Sequence, residues 1–301
     1  MTNTIACIDN GFYSTVVFSK SIPQKLYSFR SKVQQVDTPI ATSKTYHLII
    51  NNISYIIGNG AEEIDINIDK TNSNLHLLTT LTALGLLGSD SYKLVTNIPL
   101  NYYSKENKQK FEDRFKSQRG ISFLLNSQPK NITISDCVVF PQCLPVIYNN
   151  NLKSSIVGIV DCGGLTVQGT ICENNNLIQS SIFTENLGTL ILMNKIKHTL
   201  NKEFNFNLQN YQIEDVIKNG IPNKPEVKTI IDYCCKSHFQ QIIQTMKLAG
   251  WDINSLHILM TGGGSLLLEK YIKLPNYSMS INPVNDNCLG LWKVAEHVYN
   301  I

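Results

Sequence analysis

The sequence predicts an α/β fold made of two domains that share one plan. One pattern occurs twice: "IACIDNGFYSTVVFS" and "VGIVDCGGLTVQGTI" both read as an apolar strand ending in aspartate, a glycine turn and a second strand. Further strands and then helices follow each copy, which is typical of a mixed sheet with helices in each half. We expect one domain over residues 1–155 plus a C-terminal helix at 284–301, and a second domain over 156–283.

Paired strands open the first half of the chain. Residues 4–19 predict two strands joined by a turn at Asp9-Asn10-Gly11, and "YHLIINNISYIIGNG" predicts a hairpin with Asn51-Asn52 as its turn. The stretch "SNLHLLTTLTALGLLG" has apolar residues at helical spacing, with Ser73 as the expected N-cap. "YKLVTNIP" then predicts a short buried strand.

The later elements include the segment that separates the two copies of the pattern. "SKENKQKFEDRFKSQRG" predicts an amphipathic surface helix, and "ITISDCVVFPQCLPVIY" predicts a strand and an extended segment broken by Pro141 and Pro145. "GTLILMNKIKHTLNKEF" and "KPEVKTIIDYCCKSHFQQIIQTMKLAG" predict helices of the second half. In the terminal helix we expect four residues to pack on the core: Leu289, Trp292, Ala295 and Val298.

The composition is that of a globular protein, with 43% hydrophobic and 16% charged residues in 301. A net charge of +3 is too mild to indicate direct nucleic-acid binding. The eight cysteines form no CxxC pair, and we expect the adjacent Cys234 and Cys235 to pack within a helix. With no signal-peptide pattern and no run long enough to span a bilayer, we expect a reducing, cytoplasmic location and no membrane partner.

Three glycine turns follow strands, and they are the strongest candidates for a binding site. They are Asp9-Asn10-Gly11, Asp161-Cys162-Gly163-Gly164, and Gly262-Gly263-Gly264 before Ser265. Glycine lets a phosphate approach main-chain N–H groups, and two facing carboxylates could hold a hydrated Mg²⁺ through its waters. The third turn opens a helix at Ser265, which suits the ribose or α-phosphate side of a nucleotide. The alternative is that each turn only joins its flanking elements, since Asn-Gly is a common hairpin signal.

The order and spacing of these turns resemble the actin-like ATPase superfamily, and in finer detail the ParM-type plasmid-segregation actins. Residues 9–15 resemble its first phosphate loop, 161–169 its second and 261–265 its adenosine loop. "TNIPLNYYSKENKQKFEDRF", "VVFPQCLPVIY" and "ENLGTLIL" also resemble ParM-family segments, in the same order. The resemblance implies an actin-like, ribonuclease H-like duplicated fold, with two lobes around a nucleotide cleft.

The resemblance also implies roles for individual residues. Asp9 and Asp161 would hold the metal, and Asp161 would act in catalysis with Gln142. Gln142 falls where ParM proteins carry a glutamate and actin a glutamine that positions the attacking water; its other reading is a polar residue in a loop between two prolines. The expected nucleotide contacts are Asp9, Asn10, Gly11, Ser14, Gly163, Gly164, Thr166, Gly188, Gly262, Gly263, Gly264 and Ser265.

Four residues depart from the family pattern. Phe12 and Tyr13 stand where relatives usually have an acid and small hydroxyl residues, so we expect both rings to point away and Ser14 to face the phosphates. Leu165 and Gln168 stand where the family tends to have threonine and aspartate.

The function implied by the resemblance is that of a Mg²⁺-dependent ATPase that binds ATP or GTP and polymerises into filaments. Such a protein would segregate plasmid DNA through a ParR-like DNA-binding adaptor, which agrees with the mild net charge. Two alternatives stay open: a small-molecule kinase of the same superfamily, and a non-hydrolysing cytoskeletal scaffold.

Overall fold

The computed structural model describes residues 3–20, 24–37, 45–62, 73–116, 120–150, 152 and 154–301. The chain divides into two compact units, the first formed by Met1–Lys153 with Val284–Ile301 and the second by Ser154–Pro283. Each unit has its own β-sheet, helices and hydrophobic core. The predicted α/β class is therefore confirmed.

A sheet of nine strands forms the first unit. Strand β1 is antiparallel to β2 and parallel to β7, which is in turn parallel to β9. The strand order is β3-β2-β1-β7-β9-β8-β5-β6-β4. The strands are β1 (Thr4–Asn10), β2 (Ser14–Ser19), β3 (Lys25–Arg30), β4 (Val33–Gln35), β5 (Thr45–Ile50), β6 (Ile53–Gly58), β7 (Ser91–Ile98), β8 (Ile121–Leu125) and β9 (Gln128–Pro141).

Helix α1 (Asn74–Leu87) forms the centre of this unit. It is apolar on every side, and ten of its 14 residues are buried, as expected for a helix enclosed by other elements. It contacts both edge strands, β3 and β4, so the sheet curves around it. The predicted N-cap is confirmed, because the Ser73 hydroxyl accepts a hydrogen bond from the His76 N–H at 3.1 Å.

The other helices of the first unit are α2 (Lys105–Lys116), α3 (Pro145–Asn149) and α8 (Asp286–Tyr299). Phe111 and Phe115 of α2 are fully buried beside β9. The predicted extended segment at Pro145 is wrong, since this proline is the first residue of α3, where its missing N–H costs no helical hydrogen bond.

The packing face predicted for α8 is only partly right. Trp292 and Ala295 are buried, but Val298 is 41% exposed. The buried stripe runs instead through Cys288 and Leu291, which lie against β1, β2 and β7. Leu289 is partly buried and packs against the same core, as expected, and so does Tyr299 in the last turn of the helix.

The second unit has the same arrangement around its first strand: β10 is antiparallel to β11 and parallel to β14. The strand order is β12-β11-β10-β14-β15, and β13 pairs with β11. Its elements are β10 (Ile156–Cys162), β11 (Val167–Glu173), β12 (Asn176–Leu177), β13 (Phe183–Glu185), α4 (Thr189–Phe204), α5 (Asn210–Asn219), α6 (Glu226–Leu248), β14 (Ile258–Thr261), α7 (Gly263–Leu268) and β15 (Tyr277–Met279).

The cysteines pack as small apolar side chains. All eight are free and buried, including Cys234 and Cys235 on α6, as predicted. Burial raises the pKa of the Cys7 and Cys288 thiols well above the usual value, which makes them poor nucleophiles. Within the described part of the chain, the helices are too short or too polar to cross a bilayer.

One cluster of charged groups fastens α8 to the end of β2. The Glu296 carboxylate accepts hydrogen bonds from Lys20 Nζ at 2.8 Å, Lys293 Nζ at 2.9 Å and Trp292 Nε1 at 2.7 Å. These donors, Lys20 first, lower the pKa of Glu296 to about 2. A glutamate in an unfolded chain titrates near pH 4.3, so the folded state favours the ionised form.

We therefore predict that Glu296→Gln lowers stability at pH 7, and that the difference from the wild type shrinks as the pH falls from about 5 to about 2. The sign follows from the depressed pKa in the folded state, since protonation of wild-type Glu296 then removes the same interaction. Urea unfolding of the wild type and the variant across this pH range measures the difference in stability. Glu106→Gln is the control, because Glu106 pairs with Lys110 on the exposed surface of α2 and contributes little. A Glu296→Gln deficit that is constant with pH contradicts the assignment.

Candidate functional site

The first glycine turn places a nearly buried carboxylate at the edge of the sheet. Asp9 is 8% exposed, and its Oδ1 accepts a hydrogen bond from Asn97 Nδ2 at 3.0 Å. The turn closes through the Gly11 N–H, which donates to the Ser14 carbonyl at 3.0 Å. A Cβ on Gly11 would lie 2.9 Å from that oxygen, so the tight turn requires glycine.

The side chain of Asn10 fastens this turn to helix α1. Its Nδ2 donates to the Thr80 hydroxyl at 2.8 Å, and its Oδ1 accepts from Thr15 at 2.9 Å and from Thr79 at 3.2 Å. All four residues are buried. The nucleotide contact expected of Asn10 stays a prediction; its side-chain amide makes these three hydrogen bonds inside the unit.

The two aromatic residues of the first turn also have partners within the unit. The Arg30 guanidinium stacks on Tyr13, 3.5 Å from the ring centroid, and the Ser31 N–H donates to the Tyr13 carbonyl at 3.1 Å. Phe12 lines a small cavity between the turn and the start of α1. Ser14 opens β2 and is partly exposed.

Gln142 lies at the same edge of the sheet as Asp9, because β1, β7 and β9 are parallel neighbours that end there. Its side chain is buried, and its N–H donates to the carbonyl of Ile98 at 2.8 Å. The next residue, Cys143, takes a φ of +72° and donates its N–H to Asn287 Oδ1 on α8 at 3.1 Å. The loop that carries Gln142 is thus fixed to both β7 and α8.

The second glycine turn carries an even more buried carboxylate. Asp161 is 3% exposed, and it lies opposite Gln168 of β11 and Thr261 of β14 in the strand registers. The turn between β10 and β11 closes through the Gly163 N–H, which donates to the Thr166 carbonyl at 2.9 Å. Thr166 is 5% exposed, so its hydroxyl adds a polar group to a largely buried turn.

The start of α4 packs directly on this second turn. The Gly188 N–H donates to the Leu165 carbonyl at 2.9 Å, and the next two N–H groups, of Thr189 and Leu190, donate to Gly163 and Gly164 at 3.0 and 2.8 Å. A Cβ on Gly188 would lie 2.3 Å from the Gly164 oxygen. The predicted ligand contact of Gly188 stays a prediction; in this structure its N–H is used within the unit, and the absence of a Cβ lets the helix touch the turn.

The third glycine turn packs against Asp161. Helix α7 begins at Gly263, two residues before the expected start at Ser265. Gly262 has a φ of +81°, and a Cβ there would lie 2.3 Å from Asp161 Oδ1. Ser265 is buried and its hydroxyl donates to the Gly262 carbonyl at 2.7 Å, whereas Gly263 is exposed and faces open space. Gly264 packs on Cys162, so Gly263 is the member of this turn best placed to meet a ligand.

The aspartates fit a hydrated magnesium ion better than a tightly ligated metal. Over the described ranges, no group of three or more His, Cys, Asp or Glu side chains could hold a metal. Mg²⁺ keeps several waters and needs only one or two carboxylates, so each of these aspartates, taken by itself, has the chemistry of a magnesium ligand. Beside Asp9, the buried Oδ1 of Asn97 has no hydrogen-bond partner within the described ranges of the chain, which provides an acceptor for an ordered water.

Comparison with known proteins identifies the fold. Residues 7–144 match the family model described as actin-like proteins, N-terminal domain. The 15-stranded ParM filament from Clostridium botulinum superposes with a TM-score of 0.80 at 19% identity, covering 99% of this chain and 100% of that one. The fold is actin-like. The predicted fold class and the resemblance to ParM-type actin-like proteins are confirmed.

Other solved structures agree with this actin-like fold. The archaeal actin homologue Ta0583 in complex with ADP gives a TM-score of 0.79 at 15% identity, covering 97% of this chain and 99% of that one. The Alp12 filament structure gives 0.74 at 18% identity, covering 99% and 100%. No curated protein matches this actin-like chain in sequence.

Sequence reasoning missed Asn97 and Asn287, which hold the Asp9 carboxylate and the Gln142 loop. The signal for Asn97 in the sequence is a polar residue just before the end of the predicted buried strand "YKLVTNIP". Asn287 lies far along the chain from the loop that it binds, and nothing in the local pattern indicates this contact.

We predict that Gly188→Ala destabilises the actin-like fold by about 1–3 kcal/mol, because the added methyl group meets backbone atoms that cannot move independently. Urea unfolding without nucleotide measures the change. Gly263→Ala is the matched control, since a Cβ there meets nothing within 4 Å and alanine favours a helix. Equal stability of the two variants would show that the close contact between α4 and the second turn does not exist.

Proposed function

We propose that the chain binds ATP or GTP with Mg²⁺, hydrolyses it, and assembles into filaments that segregate plasmid DNA. The observation that carries this proposal is the pair of aspartates, each nearly buried at the end of the first strand of its unit and each beside a glycine-built turn. Burying a charged carboxylate costs free energy unless partners stabilise its charge, and a bound metal ion is one such partner. Two nearly buried aspartates on an actin-like fold therefore suit a metal–nucleotide ligand.

In this proposal each turn has a defined part. Mg²⁺, when bound, neutralises phosphate charge and polarises the terminal phosphoryl group. Asp9 and Asp161 would hold waters of that ion, and N–H groups of the two phosphate turns other than those of Gly11 and Gly163, which close the turns, would donate to phosphate oxygens. Gly263, at the open start of α7, lies against the nucleoside.

The buried Gln142 orients the attacking water. A glutamine amide both donates and accepts hydrogen bonds but does not ionise, so it positions a water without removing its proton. Positioning is the main requirement of phosphoryl transfer, which leaves little covalent chemistry to the protein. The backbone hydrogen bonds on each side of Gln142 keep its loop in place before a ligand binds.

Filament assembly is supported by the structural neighbours, because the Clostridium botulinum ParM and Alp12 structures are filaments. Head-to-tail contacts between copies of one chain form an open polymer unless the rotation closes a ring. A net charge of +3 is small for a protein that binds DNA directly. We therefore propose that a ParR-like adaptor links the filament to the plasmid. We place this assembly in the cytoplasm.

We predict that light scattering at 90° rises when ATP or GTP and Mg²⁺ are added to the wild type, and that Asp161→Ala abolishes the rise by removing a metal-site carboxylate. Thermal unfolding verifies that the variant is folded. Asp113→Ala, on the exposed face of α2, is the control and behaves like the wild type. Normal assembly and turnover by Asp161→Ala contradict the proposed site.

The same scattering assay, combined with measurement of ADP and phosphate release, separates the proposed function from its alternatives. A flat scattering trace with sugar-dependent release of ADP identifies a small-molecule kinase. Scattering that rises without release of phosphate identifies a non-hydrolysing scaffold. Either result overturns the proposed ATPase.

We predict that Gln142→Ala slows phosphate release by about 100-fold, the size of loss expected when a reacting group is misplaced by about 1 Å, and leaves assembly intact. Filaments of this variant should last longer, because they stay loaded with triphosphate. Gln142→Glu keeps the size of the side chain and should retain most of the activity. Unchanged phosphate release by Gln142→Ala excludes the residue from the mechanism.

A further inference from the structure

Asn97 is a fully buried amide at the end of β7, beside the end of β1. The two strands are parallel and Ile8 pairs with Thr96, so Asp9 and Asn97 follow at equivalent positions. Asn97 is 0% exposed, and its Nδ2 donates to Asp9 Oδ1 at 3.0 Å. Of its neighbours in the strand, Thr96 is also buried and polar, and Ile98 is buried and apolar.

The chemistry of this contact suits a carboxylate that must stay charged. A neutral amide donor fixes the orientation of Asp9 and favours its ionised form, because a hydrogen bond to a carboxylate is charge-assisted. A lysine or arginine in the same place would orient the carboxylate but cancel its charge. Asn97 therefore orients Asp9 without adding a positive charge of its own.

The amide oxygen of Asn97 also supports a role beside a metal-binding carboxylate. Its Oδ1 is buried and has no hydrogen-bond partner among the described residues. Buried acceptors are nearly always paired with protein or ordered water. An orphan acceptor beside a nearly buried carboxylate is a natural place for a water that also binds a cation.

We propose that Asn97 is a positioning residue that holds the Asp9 carboxylate ready for Mg²⁺ and accepts a hydrogen bond from a water of that ion. This inference rests on the proposed function, since it takes Asp9 as the metal-site carboxylate. Residues that hydrogen-bond to metal ligands without binding the metal themselves typically contribute 10–100-fold to metal affinity.

The test compares ATP affinity in Mg²⁺ with ATP affinity in EDTA, by calorimetric titration of the full chain. Two variants remove the donor with opposite effects on packing: Asn97→Leu fills the space and Asn97→Ala leaves a cavity. We expect each to lose at least about 10-fold of the Mg²⁺-dependent gain in ATP affinity, with ATP affinity in EDTA unchanged. A general loss of structure would instead weaken both affinities.

Thr96→Val is the matched control on the same strand. The Thr96 hydroxyl is buried and donates to the Ile8 carbonyl at 2.8 Å, so this variant removes a hydrogen bond between β7 and β1 without touching Asp9. It should lower the melting temperature but keep the Mg²⁺-dependent gain. For the Asn97 variants, the loss of Mg²⁺-dependent ATP affinity should not correlate with the decrease in melting temperature.

The outcomes separate the two levels of the proposal. If the wild type binds neither ATP nor GTP better in Mg²⁺ than in EDTA, the proposed function itself is wrong. If the wild type shows the gain and the folded Asn97 variants keep it, the positioning role is wrong while the function stands. Should Asn97→Leu fail to fold, the result for Asn97→Ala decides. If Thr96→Val loses as much of the Mg²⁺-dependent gain in ATP affinity as Asn97→Ala does, the positioning role is also wrong.

Discussion

Close approach between backbone segments governs the second unit. The start of α4 touches the turn after β10, and the start of α7 touches Asp161, at distances that leave no room for a Cβ on Gly188 or Gly262. Because these contacts are made by main chain, they have few alternative arrangements, and protein interiors resist small displacements. Asp161 is consequently held between three elements before any ligand arrives.

The first unit reaches the same result with hydrogen bonds instead of glycine contacts. Helix α1 is apolar on all sides and lies inside the curved sheet, yet its Thr79 and Thr80 hydroxyls meet Asn10 at the base of the first turn. Such a buried polar network is stable only when its members are satisfied, and it fixes one arrangement when they are. Both aspartate turns are therefore mounted on rigid elements, which is what preorganised binding requires.

The sequence predicts the parts of the fold that local chemistry decides. A strand ending in Asp and Gly predicts each turn, and Ser73 before an apolar helical run predicts the cap of α1. Packing decides the parts that were missed: the segment at Pro145 lies against Gly290 of α8, and on α8 it is Tyr299 that packs on the core whereas Val298 is exposed. The site follows the same rule, since the N–H groups around Gly188 and the Asn97 amide find their partners only through tertiary contacts.

The central claim is that the two aspartate turns bind one metal-bound nucleotide. The most direct test is an experimental structure of the full chain with a non-hydrolysable ATP analogue and Mg²⁺. The account predicts a triphosphate hydrogen-bonded to both turns, with the ion's waters on Asp9 and Asp161. A nucleotide bound elsewhere, or bound with neither carboxylate near its metal, would contradict it.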